Sequence, residues 1–197
     1  MTDEHVPADR TSPSLSRRRV LGVAGAGAVG ALAGCLGGGG GGGAGSLPEN
    51  GDPELLSDVE SFPSEGVEHV ERGTDIEYDT RPPTSGPHYS GVVNAGFYEE
   101  PQAMGDVVHT LEHGAVVAYY APDALTEEAE SSLTEWANTY TDTWQSFVAM
   151  PYPYDDPEAS YALTAWRHRL RMDEYDEDVV RAFAAEYIGR GPENAVR

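Results

Sequence analysis

The chain has 197 residues and a formal net charge of −22 at pH 7, and all 12 of its basic side chains are arginines. Binding to nucleic acid requires a basic surface that neutralises phosphates, so this charge balance excludes that class of function. An acid-rich surface without lysine is typical of a halophilic protein, because carboxylates hold water and counter-ions in concentrated salt. An acidic surface for contacting a partner is the alternative. Cys35 is the only cysteine, which excludes an intramolecular disulfide.

Residues 1–34 have the pattern of a twin-arginine signal peptide. The arginines lie in Ser16–Leu21, and an apolar run follows from Val20 to Gly34. A spanning helix needs about 20 apolar residues, so this glycine-rich run predicts a cleaved signal instead. It ends in a lipobox, Leu32-Ala33-Gly34-Cys35, in which Cys35 is lipidated and becomes the first mature residue. The sequence therefore predicts twin-arginine export and lipid anchoring to the outer face of the cytoplasmic membrane.

Residues 35–66 are predicted to be a flexible tether that follows the lipidated cysteine. Gly37 to Gly43 is an unbroken glycine run, which has no side chains to bury and maximal backbone entropy. Residues 46–66 are rich in proline, glycine, serine and acids, and they predict an extended approach to the domain. The globular domain is predicted over residues 67–194.

Two short segments at the start of this domain predict a β-hairpin. They are Val67–Glu71 and Asp75–Asp79, joined through Arg72-Gly73-Thr74. Residues 81–89, with the sequence RPPTSGPHY, follow. The three prolines of this segment fix φ and remove backbone donors, which predicts a rigid, irregular loop that carries His88.

The middle of the domain predicts a strand followed by a helix. The apolar run Ala115–Tyr120 contains β-branched and aromatic residues and predicts a buried strand. Thr126 is predicted to cap a helix, because Glu127 and Glu128 then lie at the positive end of the helix dipole. Apolar residues recur along this helix at helical spacing: Ala129, Leu133, Trp136, Ala137 and Tyr140.

The remaining elements complete a small α+β fold. Phe147–Met150 and Tyr161–Trp166 predict two more strands, separated by a turn at residues 151–159 that is rich in proline and aspartate. The last helix is predicted to begin near Asp176 and to end before Gly189. We therefore expect a single domain with a mostly antiparallel sheet. Its order is an N-terminal hairpin and then β-α-β-β-α, with two helices packed on one face.

The segment His109-Thr110-Leu111-Glu112-His113-Gly114 carries the residues best suited to chemistry. A spacing of four places His109 and His113 on one face of a helix, and also on one face of a strand because four is even. Imidazole pairs at this spacing suit zinc, copper or iron, with Glu112 as a third ligand or a general base. Glu112 lies near His109 only if the segment is helical.

His88 is the best additional ligand, because a proline-braced loop fixes a side chain at little entropic cost. The candidate metal set is therefore His88, His109, His113 and Glu112, with zinc or copper as the ion. Tyr89 is a candidate for a hydrogen bond that orients one of these ligands. Its alternative role is that of a core aromatic residue. The alternative is that these side chains only form hydrogen bonds with loop backbone.

Other chemistries have weaker support in the sequence. The order His-x-x-Glu-His also occurs in zinc proteases, but that motif needs a helix in a large enzyme. Ser85 lies near a histidine but lacks the G-x-S-x-G elbow of a hydrolase. His168 is predicted to be a surface residue, and His69 has no predicted partner. Three methionines are candidate thioether ligands for Cu(I), although core filling is the commoner role: Met104, Met150 and Met172.

Four motifs, in order, resemble those of the domain of unknown function 3105 family. They are Pro82–Tyr89, His109–Gly114 with the strand after it, Ala162–Trp166 and Phe183–Glu193. The resemblance covers residues 67–194 and implies a membrane-anchored extracytoplasmic protein, in agreement with the lipobox. It implies no particular activity.

Two functional hypotheses follow. The first is a membrane-anchored lipoprotein whose domain binds a transition metal at a histidine-lined site, with the membrane as its partner through Cys35. The second is a non-catalytic interaction module of the cell envelope, in which the histidines are structural.

Overall fold

The computed structural model describes residues 50–197. The predicted signal peptide at residues 1–34, the predicted lipidation site Cys35 and the glycine run lie outside the described residues. Within residues 50–197 the structure has three α-helices and seven strands, together with two short 3-10 turns at Pro53–Leu56 and Pro122–Ala124. The helices are α1 Met104–Glu112, α2 Glu127–Thr139 and α3 Glu177–Tyr187. The strands are β1 Glu60–Ser61, β2 Gly96–Phe97, β3 Val116–Tyr120, β4 Thr141–Asp142, β5 Gln145–Pro151, β6 Tyr161–Ala165 and β7 His168–Met172.

The strands form one sheet with the order β1-β7-β6-β3-β5-β2, and β4 pairs with β5. Strand β3 is antiparallel to β6, with Ala118 opposite Leu163, and parallel to β5, with Val117 opposite Val148. The parallel pairing follows from the crossover connection through α2. Since β2 and β5 form the other parallel pair, the sheet is mostly antiparallel. The predicted α+β class is confirmed.

Alternate residues of the central strands belong to two separate hydrophobic cores, because successive side chains in a strand point to opposite faces. Val116 and Ala118 of β3 pack with α2 and α3 on one face. Val117 and Tyr119 pack with α1 on the other face. The prediction of two helices on one face is therefore confirmed, and α1 is a third helix that covers the opposite face.

The predicted starts of α2 and α3 are both confirmed by their N-cap hydrogen bonds. The Thr126 side chain accepts a hydrogen bond from the backbone N–H of Ala129 at 3.1 Å. The Asp176 side chain accepts from the backbone N–H groups of Asp178 and Val179. Each interaction satisfies donors that the first turn of a helix leaves unpaired.

The predicted N-terminal hairpin is wrong. Residues 67–79 form no paired strands, and the only pairing of this segment in the described structure is a single parallel bridge between His69 and His88. Most of this segment is exposed, and only Val70, Ile76 and Tyr78 are partly buried, so little apolar area is available to stabilise a hairpin. An isolated two-stranded hairpin of this kind is marginal in water.

The fold begins earlier than the predicted domain start at residue 67. Strand β1 pairs with β7, with Glu60 opposite Arg169. Leu56 and Val59 pack against the core that α2 and α3 share. The described part of the segment predicted as a tether is therefore part of the folded domain. No helix within residues 50–197 has both the length and the apolar character needed to cross a membrane.

Candidate metal centre

His88 is held in a fixed orientation by its backbone and by its ring. The backbone N–H of Val70 donates to the His88 carbonyl at 2.8 Å, and the His88 N–H donates to the Glu68 carbonyl at 2.9 Å. The ring is fully buried, and its Nδ1 lies 2.8 Å from the carbonyl oxygen of Gly86. Gly86 has a φ of 127°, which a residue with a Cβ rarely adopts. The irregular loop predicted at residues 81–89 thus fixes a buried imidazole.

Helix α1 places His109 and Glu112 in its last turn, with His113 as the C-cap residue. Gly114 follows with a φ of 100° and donates to the Leu111 carbonyl at 2.9 Å, which ends the helix in the usual left-handed way. Strand β3 then begins at Val116. The helical alternative for the His109–His113 segment is therefore the one adopted, and Glu112 lies at the same end of α1 as both histidines.

The structure assembles a buried cluster, here called the inner cluster, from three parts of the chain. It consists of His69, His88, His109 and Glu112, whose candidate ligand atoms all lie within 4.8 Å of one another. His88 Nε2 is 3.1 Å from Glu112 Oε2. The His88 and His109 rings stack with centroids 4.8 Å apart, and the His69 ring meets each of them edge-on. His69 is exposed, so the cluster reaches solvent at that ligand.

A second group of candidate ligands is here called the outer cluster. It consists of His109, His113 and Glu193, again with candidate ligand atoms within 4.8 Å of one another. His113 Nε2 is 2.8 Å from Glu193 Oε2, and His109 Nε2 is 3.9 Å from the same oxygen. The two clusters therefore share His109.

Backbone carbonyls determine which ring nitrogen is free to bind an ion. A carbonyl oxygen only accepts hydrogen bonds, so the Nδ1–H of His88 donates to Gly86 and the Nδ1–H of His109 donates to Gly91 at 3.1 Å. In the neutral imidazole the Nε2 atom then carries a lone pair. His88 Nε2 faces Glu112 in the inner cluster, and His109 Nε2 is 3.9 Å from Glu193 Oε2 of the outer cluster. A hydrogen bond from Nδ1–H to a carbonyl is the way in which metal-binding histidines are usually oriented.

Burial favours the neutral, metal-binding form of His88 and His113. Burial lowers the pKa of the His88 imidazole, and the nearby His109 and His69 rings add to this effect against the Gly86 carbonyl and Glu112. Burial followed by the proximity of His109 also lowers the pKa of His113, against the opposing effect of Glu193. A neutral imidazole is the ligand for a metal ion, so neither ring must first lose a proton at neutral pH.

The structure divides the predicted metal set and adds two residues to it. His88, His109 and Glu112 come together in the inner cluster, whereas His113 belongs to the outer cluster. His69 and Glu193 are the residues that sequence reasoning missed. His69 was assigned to a hairpin that does not form, while Glu193 lies at the end of the motif Phe183–Glu193 without a pattern that marks it as a ligand.

Tyr89 holds the start of α1 rather than a histidine. Its hydroxyl donates to the Thr74 carbonyl at 2.8 Å, and its backbone N–H donates to the Gly105 carbonyl at 3.2 Å. A Cβ on Gly105 would come within 2.5 Å of the Tyr89 ring, so the helix rests directly on this side chain. Neither hydrogen bond reaches a histidine, so the role of Tyr89 as a partner of a metal ligand stays a prediction.

The other candidate residues lie in the core or pair elsewhere. Met150 and Met172 are buried core residues, and Met104, the first residue of α1, packs against the core. Ser85 is fully buried and accepts a hydrogen bond from the Glu65 N–H at 3.0 Å, which does not suit a nucleophile. His168 stacks on Tyr187 with ring centroids 4.5 Å apart, outside both clusters.

Comparison with known proteins gives a family and no characterised relative. The family described as "Protein of unknown function (DUF3105)" matches residues 69–197, a range that contains every member of both clusters. No curated protein and no solved structure matches the chain.

Proposed function

This chain belongs to the DUF3105 family of proteins of unknown function, and from its inner cluster we propose that it binds one divalent transition-metal ion. The ligands are His69, His88, His109 and Glu112. Three imidazole nitrogens and one carboxylate oxygen form a donor set that suits zinc or copper. Magnesium and calcium prefer oxygen ligands, so they fit this set poorly.

One observation carries the proposal. The Nε2 atom of His88 is buried and has no hydrogen-bond partner among the described residues, and Glu112 Oε2 lies 3.1 Å from it. Because the His88 proton is held on Nδ1 by Gly86, a lone pair faces a carboxylate oxygen at this distance. Two such groups repel each other in a buried site, and a bound cation turns that repulsion into two favourable contacts.

The distances are compatible with a single ion after small movements. Two ligand atoms on one tetrahedral zinc ion, at bond lengths of 2.0–2.2 Å, are about 3.4 Å apart. The separation of His88 Nε2 and Glu112 Oε2 is already close to this value. The remaining candidate atoms, which lie within 4.8 Å of one another, need to approach by at most about 1.4 Å. His69 is exposed and can make much of that adjustment.

The proposed setting is the outer face of the cytoplasmic membrane. It is supported by the twin-arginine pattern at Ser16–Leu21, by the lipobox ending at Cys35 and by the glycine run after it. In this setting the metal-binding domain is held close to the membrane surface by a lipid on Cys35 and exchanges metal with the extracytoplasmic solution.

Metal content tests the proposal. Chain without an affinity tag, purified without chelator in zinc-containing buffer, is expected to carry about one zinc ion by elemental analysis. His109→Ala removes a ligand of the inner cluster and should reduce this content strongly. His168→Ala is the matched control, because it deletes a histidine outside both clusters. Its zinc content should equal that of the wild type.

The competing hypothesis predicts a different result. If the histidines are only structural parts of an interaction module, purified wild-type protein contains no stoichiometric metal. Zinc and copper then also leave its melting temperature unchanged, because only a ligand that binds the folded state raises it.

A further inference from the structure

The outer cluster is built by the C-terminal segment that follows α3. The Gly189 N–H donates to the Gly114 carbonyl at 2.7 Å, and the Glu193 N–H donates to the Glu112 carbonyl at 3.5 Å. Between them, a Cβ on Gly191 would come within 2.1 Å of the Glu112 carbonyl oxygen. The segment therefore lies tightly against the end of α1. This contact brings the Glu193 carboxylate to His113 and His109.

His109 can serve only one ion at a time. Its Nδ1 is engaged by the Gly91 carbonyl, so a single lone pair, on Nε2, remains for metal binding. Both clusters include this residue. An ion in the inner cluster and an ion in the outer cluster would compete for the same nitrogen atom.

We propose that His109, His113 and Glu193 form a second metal position, which a single ion occupies in alternation with the inner position. This inference rests on the proposed function, because the second position uses His109, which is a ligand of the proposed inner position. The ion keeps His109 and exchanges His113 and Glu193 for His88, Glu112 and His69. On moving inward the ion loses its bonds to His113, Glu193 and one water molecule and gains bonds to His88, Glu112 and His69, without a change of oxidation state.

The two positions differ in exposure and in number of ligands. The Glu193 side chain is 46 % exposed, whereas the side chains of Glu112 and His88 are 7 % and 0 % exposed. The outer position has three candidate ligands, and the inner position has four. The outer position therefore binds more weakly and exchanges faster with solution. It is the position at which an ion is taken up from solution or released into it.

Trp144 provides an optical signal for occupation of the outer position. Its ring lies on His113, with ring centroids 4.3 Å apart. Co²⁺ is a suitable probe, since it replaces zinc in nitrogen and oxygen sites and quenches a nearby indole. An ion held by His113 quenches Trp144 more strongly than an ion held by His88. Trp144→Phe is the control that removes this part of the signal.

The experiment is a Co²⁺ titration of the full chain, solubilised in detergent and free of an affinity tag. The wild type should bind one Co²⁺, with the same affinity in Glu193→Gln to within about threefold. Glu112→Gln should still bind one ion, about a hundredfold more weakly, with stronger Trp144 quenching. The double variant Glu112→Gln/Glu193→Gln should bind none. These substitutions preserve side-chain size, and circular dichroism verifies the fold of each variant.

Three outcomes would overturn the inference. Two Co²⁺ ions bound per wild-type chain would show that His109 is not shared. Complete loss of binding in the folded Glu112→Gln variant would show that the outer residues hold no ion. A loss of affinity in Glu193→Gln as large as that in Glu112→Gln would show one site built from all the ligands. In each case the wild type still binds metal, whereas failure of the proposed function leaves the wild type without metal.

Discussion

Among single residues, the contact between His88 and Glu112 determines whether the site holds a proton or a metal ion. A neutral imidazole and a carboxylate 3.1 Å apart are two acceptors, and either a proton or a metal ion between them relieves the repulsion. Burial disfavours the proton, because it lowers the pKa of His88 below its ordinary value of 6.5. A divalent ion has twice the charge of a proton and also gains His69 and His109 as ligands. The proposed site therefore favours a metal ion over a proton.

The preference for a metal ion over a proton sets the expected pH dependence of metal binding. Protons compete with the ion only where the free imidazoles become charged, and burial moves that range for His88 below pH 6.5. Zinc affinity, measured by competition with a chelator of known protonation, should therefore change by less than about threefold from pH 8 to pH 7 and fall at lower pH. A tenfold loss of affinity between pH 8 and pH 7 would contradict the assigned protonation state.

At the scale of elements, the parts of the fold that the sequence predicts are those defined by local pattern. Strand β3 is a continuous apolar run, and α2 and α3 have caps and apolar residues at helical spacing, so each is recognisable within one segment. Strand β7 was missed, because Arg167-His168-Arg169 has the composition of an exposed turn. It is a strand because it forms a tight hairpin with β6, in which Ala165 lies opposite His168, and because it pairs on its other side with β1, which is distant in sequence.

The candidate site was predictable to the same extent. His109, Glu112 and His113 lie within one helical turn, and their spacing alone indicates a common site. His69 and Glu193 come from segments far from α1 in sequence. His69 is placed by its bridge to His88, and Glu193 by the contact of Gly191 with the end of α1. Neither contact has a local signature in the residues that make it.

The contact of the C-terminal segment with α1 makes Gly191 a sensitive position. An alanine there would place its Cβ within 2.1 Å of the Glu112 carbonyl oxygen and 2.3 Å of the Gly114 nitrogen, which forces the backbone to move. We expect Gly191→Ala to lower the free energy of unfolding by about 1–3 kcal/mol, measured by urea denaturation of the metal-free protein.

The matched control is Gly96→Ala, whose Cβ would meet only the edge of the Tyr98 ring at 3.3 Å. It should destabilise the domain less than Gly191→Ala does. In the Glu112→Gln background, Gly191→Ala should also weaken Co²⁺ binding at the outer position, because it displaces Glu193. Unchanged binding in that background would mean that the C-terminal segment does not position the carboxylate.

At the scale of the whole molecule, the inner cluster ties together three separate parts of the described chain. His69 comes from the irregular segment before the loop, His88 from the loop at residues 81–89, and His109 and Glu112 from α1. A bound ion therefore cross-links segments that are otherwise joined by few regular hydrogen bonds. The strongly acidic composition, with a net charge of −22, keeps cations concentrated around the domain.

The lipid predicted on Cys35 is expected to hold this domain at the membrane surface. Cys35→Ser removes the only thiol of the chain and with it the only residue that a lipobox can lipidate. In the native host, this variant should move from the membrane fraction to the soluble extracytoplasmic fraction, as measured by immunoblotting of washed membranes. Replacing Arg17 and Arg18 with lysine is the matched control, because it blocks twin-arginine export and leaves an unprocessed chain inside the cell. Retention of the Cys35→Ser protein in washed membranes would contradict the lipid anchor, since the chain would then be held by something other than its cysteine.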